Sequence, residues 1–151
     1  MLTTMARQVA VIGSGAEWEA AAEEVGNLLA ESGCTVITGG LGEVMAAAHR
    51  GAKSAGGVTV AILPGEERAA ANPWADHVVV TGIGHARNLA VAASGDAVIA
   101  IGGSYGTLAE MALALRLGRP VVALDGAPHV AGTLRARTPA EAVELALGHL
   151  G

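Results

Sequence analysis

Apolar runs of seven or eight residues alternate along the chain with segments that have the periodicity of a helix. The runs predict six β-strands, at residues 8–15, 34–40, 58–65, 76–82, 96–103 and 120–126. The periodic segments predict five helices, at residues 17–33, 43–55, 85–95, 107–118 and 138–150, with a loop or short helical turn at 66–75. Alternation of continuously apolar strands with helices is typical of a parallel sheet covered on both faces. We therefore expect an α/β fold: residues 1–151 form a single doubly wound Rossmann-like domain with about six to seven strands.

Residues at the ends of two predicted helices fit known capping patterns. Gly33 follows the first helix and is suited to a C-cap. Thr138 precedes the last helix, and Glu141 three residues later completes a capping box. These patterns fix where the two helices end and begin.

Composition and charge narrow the class of protein. The 151 residues are 52% hydrophobic without any Phe, only 15% charged, and have a net charge of −5. Such a chain lacks a basic footprint for nucleic acid, and no apolar run is long enough to span a membrane. The N-terminal residues become strand-like too early for a signal peptide. The only cysteine, Cys34, adjoins an apolar run and is interpreted as a small core residue, so we expect a reduced, cytoplasmic setting.

Three predicted strands end in turns made of small residues, and each turn leads into a helical segment. In a parallel sheet these turns lie along one edge, where ligands bind near the point at which strand order reverses. Glycine lets a ligand approach backbone N–H groups closely, and helix N-termini attract phosphate. The turns predict a nucleotide- or phosphate-binding crevice formed by Gly13, Ser14, Gly39, Gly40, Gly42, Gly103, Ser104, Tyr105, Gly106 and Thr107. Met45 and Asn88, in the helical segments near these turns, are further candidates for contact with the ligand.

Several common signatures are absent from the sequence. The first turn, "GSGAEW", does not complete the G-x-G-x-x-G pattern of dinucleotide-binding enzymes, and no acid is placed to hold a ribose. A Walker-type loop is also missing. No cluster of His, Cys and acidic residues has metal-ligand spacing, so no metal and no required cofactor are expected.

Two charged residues stand at the start of predicted helices near these turns. Glu110 either caps its helix in a box with Thr107 or faces the crevice, and its spacing alone does not separate the two. Arg87 opens a helix where a cation opposes the dipole, which makes it a candidate for function. His85 fits a loop or first-turn residue better than a functional one, and Asn88 fits a ligand contact or a surface residue equally.

The segment "GHARNLAVAASGDAVIAIGGSYGTLAEMALALRLGRPVVAL" resembles the signature region of the Lonely Guy (LOG) and "possible lysine decarboxylase" family. "TGGLGEVMAAAHRGA" resembles that family's other glycine motif. The wider superfamily includes DNA-processing protein A and the molybdenum-cofactor carriers. The resemblance implies a Rossmann-like nucleotide-binding fold, a homodimer or higher homo-oligomer, and catalytic roles for Arg87 and Glu110. The family's Pro-Gly-Gly reads Gly102-Gly103-Ser104 here, which is more similar to the short subfamily that contains the molybdenum-cofactor carriers.

Two functions follow from this resemblance. The first, which the Arg–Glu pair favours, is a nucleoside 5′-monophosphate phosphoribohydrolase that cleaves the N-glycosidic bond to free base and ribose 5-phosphate. The alternative, which the altered glycine motifs favour, is a non-catalytic carrier that holds a nucleotide or molybdopterin cofactor in the same crevice. Both predict a phosphate-bearing small molecule as the partner, and neither requires nucleic acid or a membrane. Trp74 or Tyr105 is a candidate for stacking on a base.

Overall fold

The computed structural model describes residues 5–150, so residues 1–4 and 151 of the expected domain lie outside the described residues. All six expected strands and all five expected helices are present. Ten of them have shorter bounds, the fourth helix is displaced towards the N-terminus, and one further strand is added. The strands are β1 Gln8–Ser14, β2 Thr35–Thr38, β3 Thr59–Leu63, β4 His77–Val80, β5 Ala97–Gly102, β6 Val121–Ala123 and β7 Leu134–Arg135. The helices are α1 Glu19–Glu31, α2 Glu43–Ser54, α3 Arg87–Ser94, α4 Tyr105–Arg116 and α5 Pro139–Gly148. Short 3-10 turns occupy Ala16–Trp18, Arg68–Ala70 and Gly84–Ala86.

The strands form one seven-stranded sheet in the order β4-β3-β2-β1-β5-β6-β7, and every neighbouring pair is parallel. The chain builds outward from β1 to β4 and then returns to the other side of β1 with β5. Strand order therefore reverses between β1 and β5, where Ser14 is paired with Gly102 at the carboxyl ends. In open α/β sheets this is the position at which a crevice for ligands forms. The prediction of a doubly wound parallel sheet is confirmed.

Alternate residues of a strand point to opposite faces of the sheet, so both faces carry apolar side chains. Helices cover both faces and bury these side chains. Helices α1, α2 and α5 bury one set of strand side chains, which includes Val9, Val11 and Ile99. Helices α3 and α4 bury the other set, which includes Ala10 and Ile12. No helix among residues 5–150 is both long and apolar enough to cross a membrane.

The small residues of α1 and α2 bring the two helices into close contact. A Cβ on Gly26 would collide with the backbone carbonyl oxygen of Ala48, and one on Gly51 with that of Glu23. Backbone-to-backbone contact at these points leaves no space for a larger side chain. An Ala- and Gly-rich chain without Phe can therefore still fill its core to normal density.

The predictions made for individual residues hold at the end of α1 and the start of α5, and for Cys34, but not at the start of α4. Gly33 adopts φ +80° directly after Ser32, the C-cap of α1, so glycine ends this helix one residue later than a C-cap would. The Thr138 hydroxyl accepts a hydrogen bond from Glu141 N at 3.1 Å, which is the N-cap half of the predicted capping box. Cys34 is buried, and burial raises the pKa of its thiol. The capping box of Thr107 and Glu110 is wrong, because α4 begins two residues earlier, at Tyr105, and Thr107 lies within its first turn.

Candidate functional site

A cavity of about 180 Å³ lies at the carboxyl ends of β1 and β5, where strand order reverses. Its walls come from the β1 end, the start of α3, the start of α4 and one side chain of α2. Backbone N–H groups in the first turn of a helix have no partner within the helix, so they can bind an anion. The lining residues are Gly13, Ser14, Met45, His85, Arg87, Asn88, Ser104, Gly106, Thr107 and Glu110.

Glycine is required at two points of this wall. Gly13 has φ +131°, and a Cβ there would collide with the Ile101 carbonyl of the neighbouring strand. Gly103 has φ +101°, and a Cβ there would overlap the Thr107 side chain. L-residues with side chains rarely adopt such conformations. The chain can therefore turn sharply from strand to helix at the cavity only with glycine at both positions.

Arg87 connects the cavity to the ends of two strands. Its Nη1 group donates hydrogen bonds to the carbonyl oxygens of Gly39 at 2.6 Å and Ile62 at 2.7 Å. Its Nε group donates to Asn88 Oδ1 at 3.3 Å. Burial lowers the pKa of the Arg87 guanidinium, whereas the neighbouring Glu110 raises it, and arginine remains charged at neutral pH. Because Nη1 uses both of its protons on backbone carbonyls, Nη2 is the group that can face a ligand.

Glu110 lies on α4, one turn inside the helix, and lines the same cavity. Burial raises the pKa of its carboxyl group from 4.5 to about 7, although the charge of Arg87 opposes this shift. Within the described residues, no ion pair of 4.0 Å or less joins Glu110 to Arg87. At neutral pH the carboxyl is therefore partly protonated, and the cavity keeps much of the positive character of Arg87 and the helix ends.

The structure brings nine of the fourteen predicted site residues to this cavity and places the other five around it. Gly39 and Gly40 are buried behind the wall, and Gly42 precedes α2 as its N-cap. Gly103 lies against the Thr107 side chain but does not itself line the cavity, and Tyr105 is 87% exposed to solvent. Trp74, the other stacking candidate, lies against Arg50, whose guanidinium carbon is 5.1 Å from the ring centroid, and it does not line the cavity. His85, expected to be a simple loop residue, does line it.

A buried polar network that the sequence did not predict supports the second glycine turn. Asn72 Oδ1 accepts from Trp74 N at 3.0 Å, so its Nδ2 group faces His49 Nδ1 at 3.1 Å and donates to it. The remaining ring proton of His49 is then on Nε2, 3.1 Å from Thr38 Oγ1. Gly40 N donates to the same Thr38 oxygen, and Asn72 N donates to Gly40 O. Both backbone groups of Gly40 are thus fixed by this network.

Replacement of His49 by alanine is expected to lower the free energy of unfolding by about 2–4 kcal/mol. His49 is fully buried, so its loss leaves a cavity and removes one partner each from Thr38 and Asn72. Urea denaturation measures the change. His49→Gln, which keeps polar atoms in this space, is the matched variant and should recover part of the loss; equal losses would show that the network contributes nothing.

Two roomier clefts, of about 420 and 350 Å³, lie at the opposite edge of the sheet. The first is near the start of β1 and the second near the start of β6. In parallel α/β sheets, ligands bind at the carboxyl ends of the strands. Within residues 5–150, no group of three or more His, Cys, Asp or Glu is arranged to hold a metal ion. The cavity of Arg87 and Glu110, unlike these two clefts, lies at the carboxyl ends of the strands, so it is the candidate site.

An all-parallel sheet with a polar crevice at its point of strand reversal defines a Rossmann-like α/β protein. More specifically, the chain belongs to the SLOG cluster4 family, whose model matches residues 6–146. The family membership agrees with the superfamily expected from the sequence, but it does not extend to the LOG or "possible lysine decarboxylase" assignment.

Individual relatives extend over nearly the whole chain. An uncharacterized protein of Archaeoglobus fulgidus is 45% identical over 139 residues, which cover 90% of this chain and 91% of that protein. The molybdenum cofactor binding protein of Rippkaea orientalis is 30% identical with a TM-score of 0.90, covering 99% of this chain and 100% of that one. The molybdenum cofactor carrier protein of Chlamydomonas reinhardtii is 31% identical with a TM-score of 0.87, covering 97% and 99%. DNA processing protein A of Streptococcus pneumoniae, at 22% identity and a TM-score of 0.72, shares the fold.

Proposed function

We propose that this protein binds and carries a phosphate-bearing small molecule of the molybdenum-cofactor type, without cleaving it. The observation that carries this proposal is similarity over nearly the full chain to one molybdenum cofactor binding protein and one molybdenum cofactor carrier protein. The molybdenum cofactor is a pterin with a terminal phosphate. A phosphate is the group that a cavity between helix N-termini and an arginine is suited to hold.

Three parts of the cavity wall have separate roles in binding the phosphate. Backbone N–H groups at the start of α4, from Ser104 to Thr107, donate to phosphate oxygens. Nη2 of Arg87 adds a charged donor from the opposite wall. Glu110 does not repel the anion while it is protonated, which the raised pKa of its carboxyl permits.

Native mass spectrometry tests this function on protein purified from a host that makes the molybdenum cofactor. We expect a bound mass that corresponds to a phosphorylated pterin, and we expect Arg87→Met to remove it. Val58→Ser, on an exposed residue before β3, is the control and should retain it. A wild-type protein that is folded and carries no phosphorylated ligand would contradict the proposal.

A phosphoribohydrolase remains the second candidate, because of one observation. Burial brings the pKa of Glu110 to about 7, a value suited to a general acid or base at neutral pH. In that reaction the N-glycosidic bond breaks, a water molecule adds to the ribose, and the proton of that water passes by way of Glu110 to the departing base. The Glu110 carboxylate stabilises the positive charge that develops on the ribose, while Arg87 holds the 5′-phosphate. Release of free base from a nucleoside 5′-monophosphate, abolished by Glu110→Gln, would identify this activity.

We also propose that the protein assembles as a homo-oligomer through the face of α3 and α4. Leu89 on α3 and Leu108 on α4 are 48% and 38% exposed, and Ile83 before α3 is 56% exposed. Apolar side chains grouped on one face are typical of an interface. Sedimentation equilibrium of the wild type should give at least a dimer, and Leu89→Glu should shift the mass towards a monomer.

A further inference from the structure

The side chain of Trp18 lies at the carboxyl edge of the sheet, in the 3-10 turn that connects β1 to α1. Its backbone N–H donates to the carbonyl oxygen of Gly15 at 3.1 Å, which closes this turn. The partly exposed ring packs on the core under α1, α2 and α5 and is not among the groups that line the cavity of Arg87 and Glu110. Trp18 therefore approaches the turns of the cavity from the α1 side.

Three glycines from three separate turns contact the Trp18 ring. A Cβ on Gly15, after β1, would lie 2.8 Å from ring atom Cδ1. One on Gly102, at the end of β5, would lie 2.6 Å from Nε1. One on Gly126, after β6, would collide with Cζ2 and lie 2.6 Å from Cε2, in the six-membered part of the ring. The ring thus occupies the space that side chains would take at all three positions.

The three glycines have backbone conformations that other residues rarely adopt. The φ angle is +114° at Gly15, +59° at Gly102 and +87° at Gly126. A glycine has no side chain of its own to pack, so contact with a neighbouring group must hold such a turn in place. Trp18 provides this contact to three turns with one rigid aromatic ring.

Two of these turns form walls of the phosphate cavity. Ser14, which precedes Gly15, lines the cavity and is paired with Gly102 in the sheet. Ser104, two residues after Gly102, also lines the cavity and is the N-cap of α4. The Trp18 ring therefore contacts both walls from behind, within two residues of the groups that face the ligand.

We propose that Trp18 is a positioning residue of the anion site. Its ring holds the turns after β1 and β5 at the spacing that a bound phosphate requires, and it couples both turns to the turn after β6. Trp18 itself does not touch the ligand and acts through Ser14 and the backbone N–H groups at the start of α4. The inference rests on the proposed function, because that function places the phosphate between these two turns.

Isothermal titration calorimetry of two glycine variants tests this role with guanosine 5′-monophosphate. This probe carries a phosphate, and guanine shares its aminopyrimidinone ring with pterin. Gly126→Ala places a methyl group against the Trp18 ring from a residue outside the cavity lining, and we expect about 10-fold weaker binding. Gly56→Ala is the matched control and should bind like the wild type. Gly56 also has a positive φ, +73°, but its added Cβ would meet no described neighbour within 4 Å.

A variant of Trp18 shows whether the ring transmits the effect of Gly126→Ala. Trp18→Leu keeps an apolar side chain against the core but removes the flat ring, and it should also weaken binding by about 10-fold. In this background Gly126→Ala should have no further effect on affinity, because the ring that it displaces is gone. If Gly126→Ala binds the probe as tightly as Gly56→Ala, the ring only fills the core and the positioning role is wrong.

Fluorescence tests the same role without any change at the ring, in case the variants of Trp18 or Gly126 do not fold. The chain has two tryptophans, so Trp74→Phe leaves Trp18 as the only one. We expect the emission of Trp18 to change at saturating guanosine monophosphate, because the turns that pack on the ring close on the phosphate. Constant emission while calorimetry shows binding would overturn the positioning role and leave the anion site in place. If the probe does not bind to the folded wild type, the proposed function fails and this inference fails with it.

Discussion

Glutamine in place of Glu110 is expected to stabilise the protein above pH 7 by up to about 3 kcal/mol. In the folded protein, burial raises the pKa of this carboxyl from 4.5 to about 7. Between these two pH values the folded state holds a proton that the unfolded chain has released. The contribution of Glu110 to stability therefore falls as pH rises through this window, and the full penalty is present above pH 7.

Urea denaturation of Glu110→Gln and wild type across pH 4.5 to 8 measures this effect. The difference in free energy of unfolding should be near zero at the acid end and grow as pH rises, because glutamine cannot ionise. Glu144→Gln, on an exposed glutamate of α5, is the matched control for the same substitution away from the cavity. A Glu110→Gln difference that does not depend on pH would mean that Glu110 is not buried at a cost to stability. A residue that lines a cavity and lowers the free energy of unfolding is expected to have a role in ligand binding or catalysis.

Replacement of Arg87 by methionine is expected to affect both stability and ligand binding. The guanidinium donates to the buried carbonyl groups of Gly39 and Ile62, at 2.6 and 2.7 Å. Loss of these bonds should lower the free energy of unfolding by about 2–4 kcal/mol. Loss of the charged donor should weaken binding of guanosine 5′-monophosphate by about 10- to 100-fold. The pKa of Glu110 should rise further, because Arg87 is the charge that lowers it.

Urea denaturation and calorimetry of Arg87→Met measure the two effects separately. Arg116→Met, at the exposed end of α4, removes an arginine without touching the cavity and should leave both quantities nearly unchanged. A variant that loses stability but binds guanosine monophosphate as tightly as the wild type would show that Arg87 only ties the strand ends together. In that case another group must bind the phosphate.

The buried network of His49 gives stability the opposite dependence on pH. Burial lowers the pKa of this imidazole from 6.5 to about 4, so the folded state holds it neutral. Its contribution is fully present above pH 6.5 and is lost as pH falls through 4. Protonation would also remove the acceptor on Nδ1 that Asn72 uses. Acid should therefore loosen the Gly40 turn, and His49→Gln should lack this dependence.

The strands and helices were predictable because the parallel sheet is buried on both faces. Continuous apolar runs, such as the one that contains β5, have no other stable environment in a water-exposed domain. Strand β7 was not predicted, since two residues, Leu134 and Arg135, carry no periodic signal. Helix α4 begins at Tyr105, two residues before the predicted start. The sequence did not indicate this, because Tyr105 and Gly106 are weak helix formers.

The candidate site was predictable only in part. Glycine turns mark where a strand ends and a helix begins, so the sequence indicated the edge of the sheet that holds the cavity. The sequence could not show which surface of each turn faces the cavity. Gly39 contacts Arg87, and Gly40 contacts the network of His49, rather than lining the cavity. His49 and Asn72 are 23 residues apart, and their contact exists only after folding. A histidine within a helical pattern carries no signal that it is fully buried.

The measurement that tests the central claim most directly is one chromatographic analysis of guanosine 5′-monophosphate incubated with the wild-type protein. It quantifies protein-bound nucleotide and free guanine in the same sample. Binding in the cavity of Arg87 and Glu110 without cleavage predicts close to one bound nucleotide per chain and no guanine above the protein-free control. Guanine released in excess over the protein, and absent with Glu110→Gln, would contradict the carrier function and identify a hydrolase.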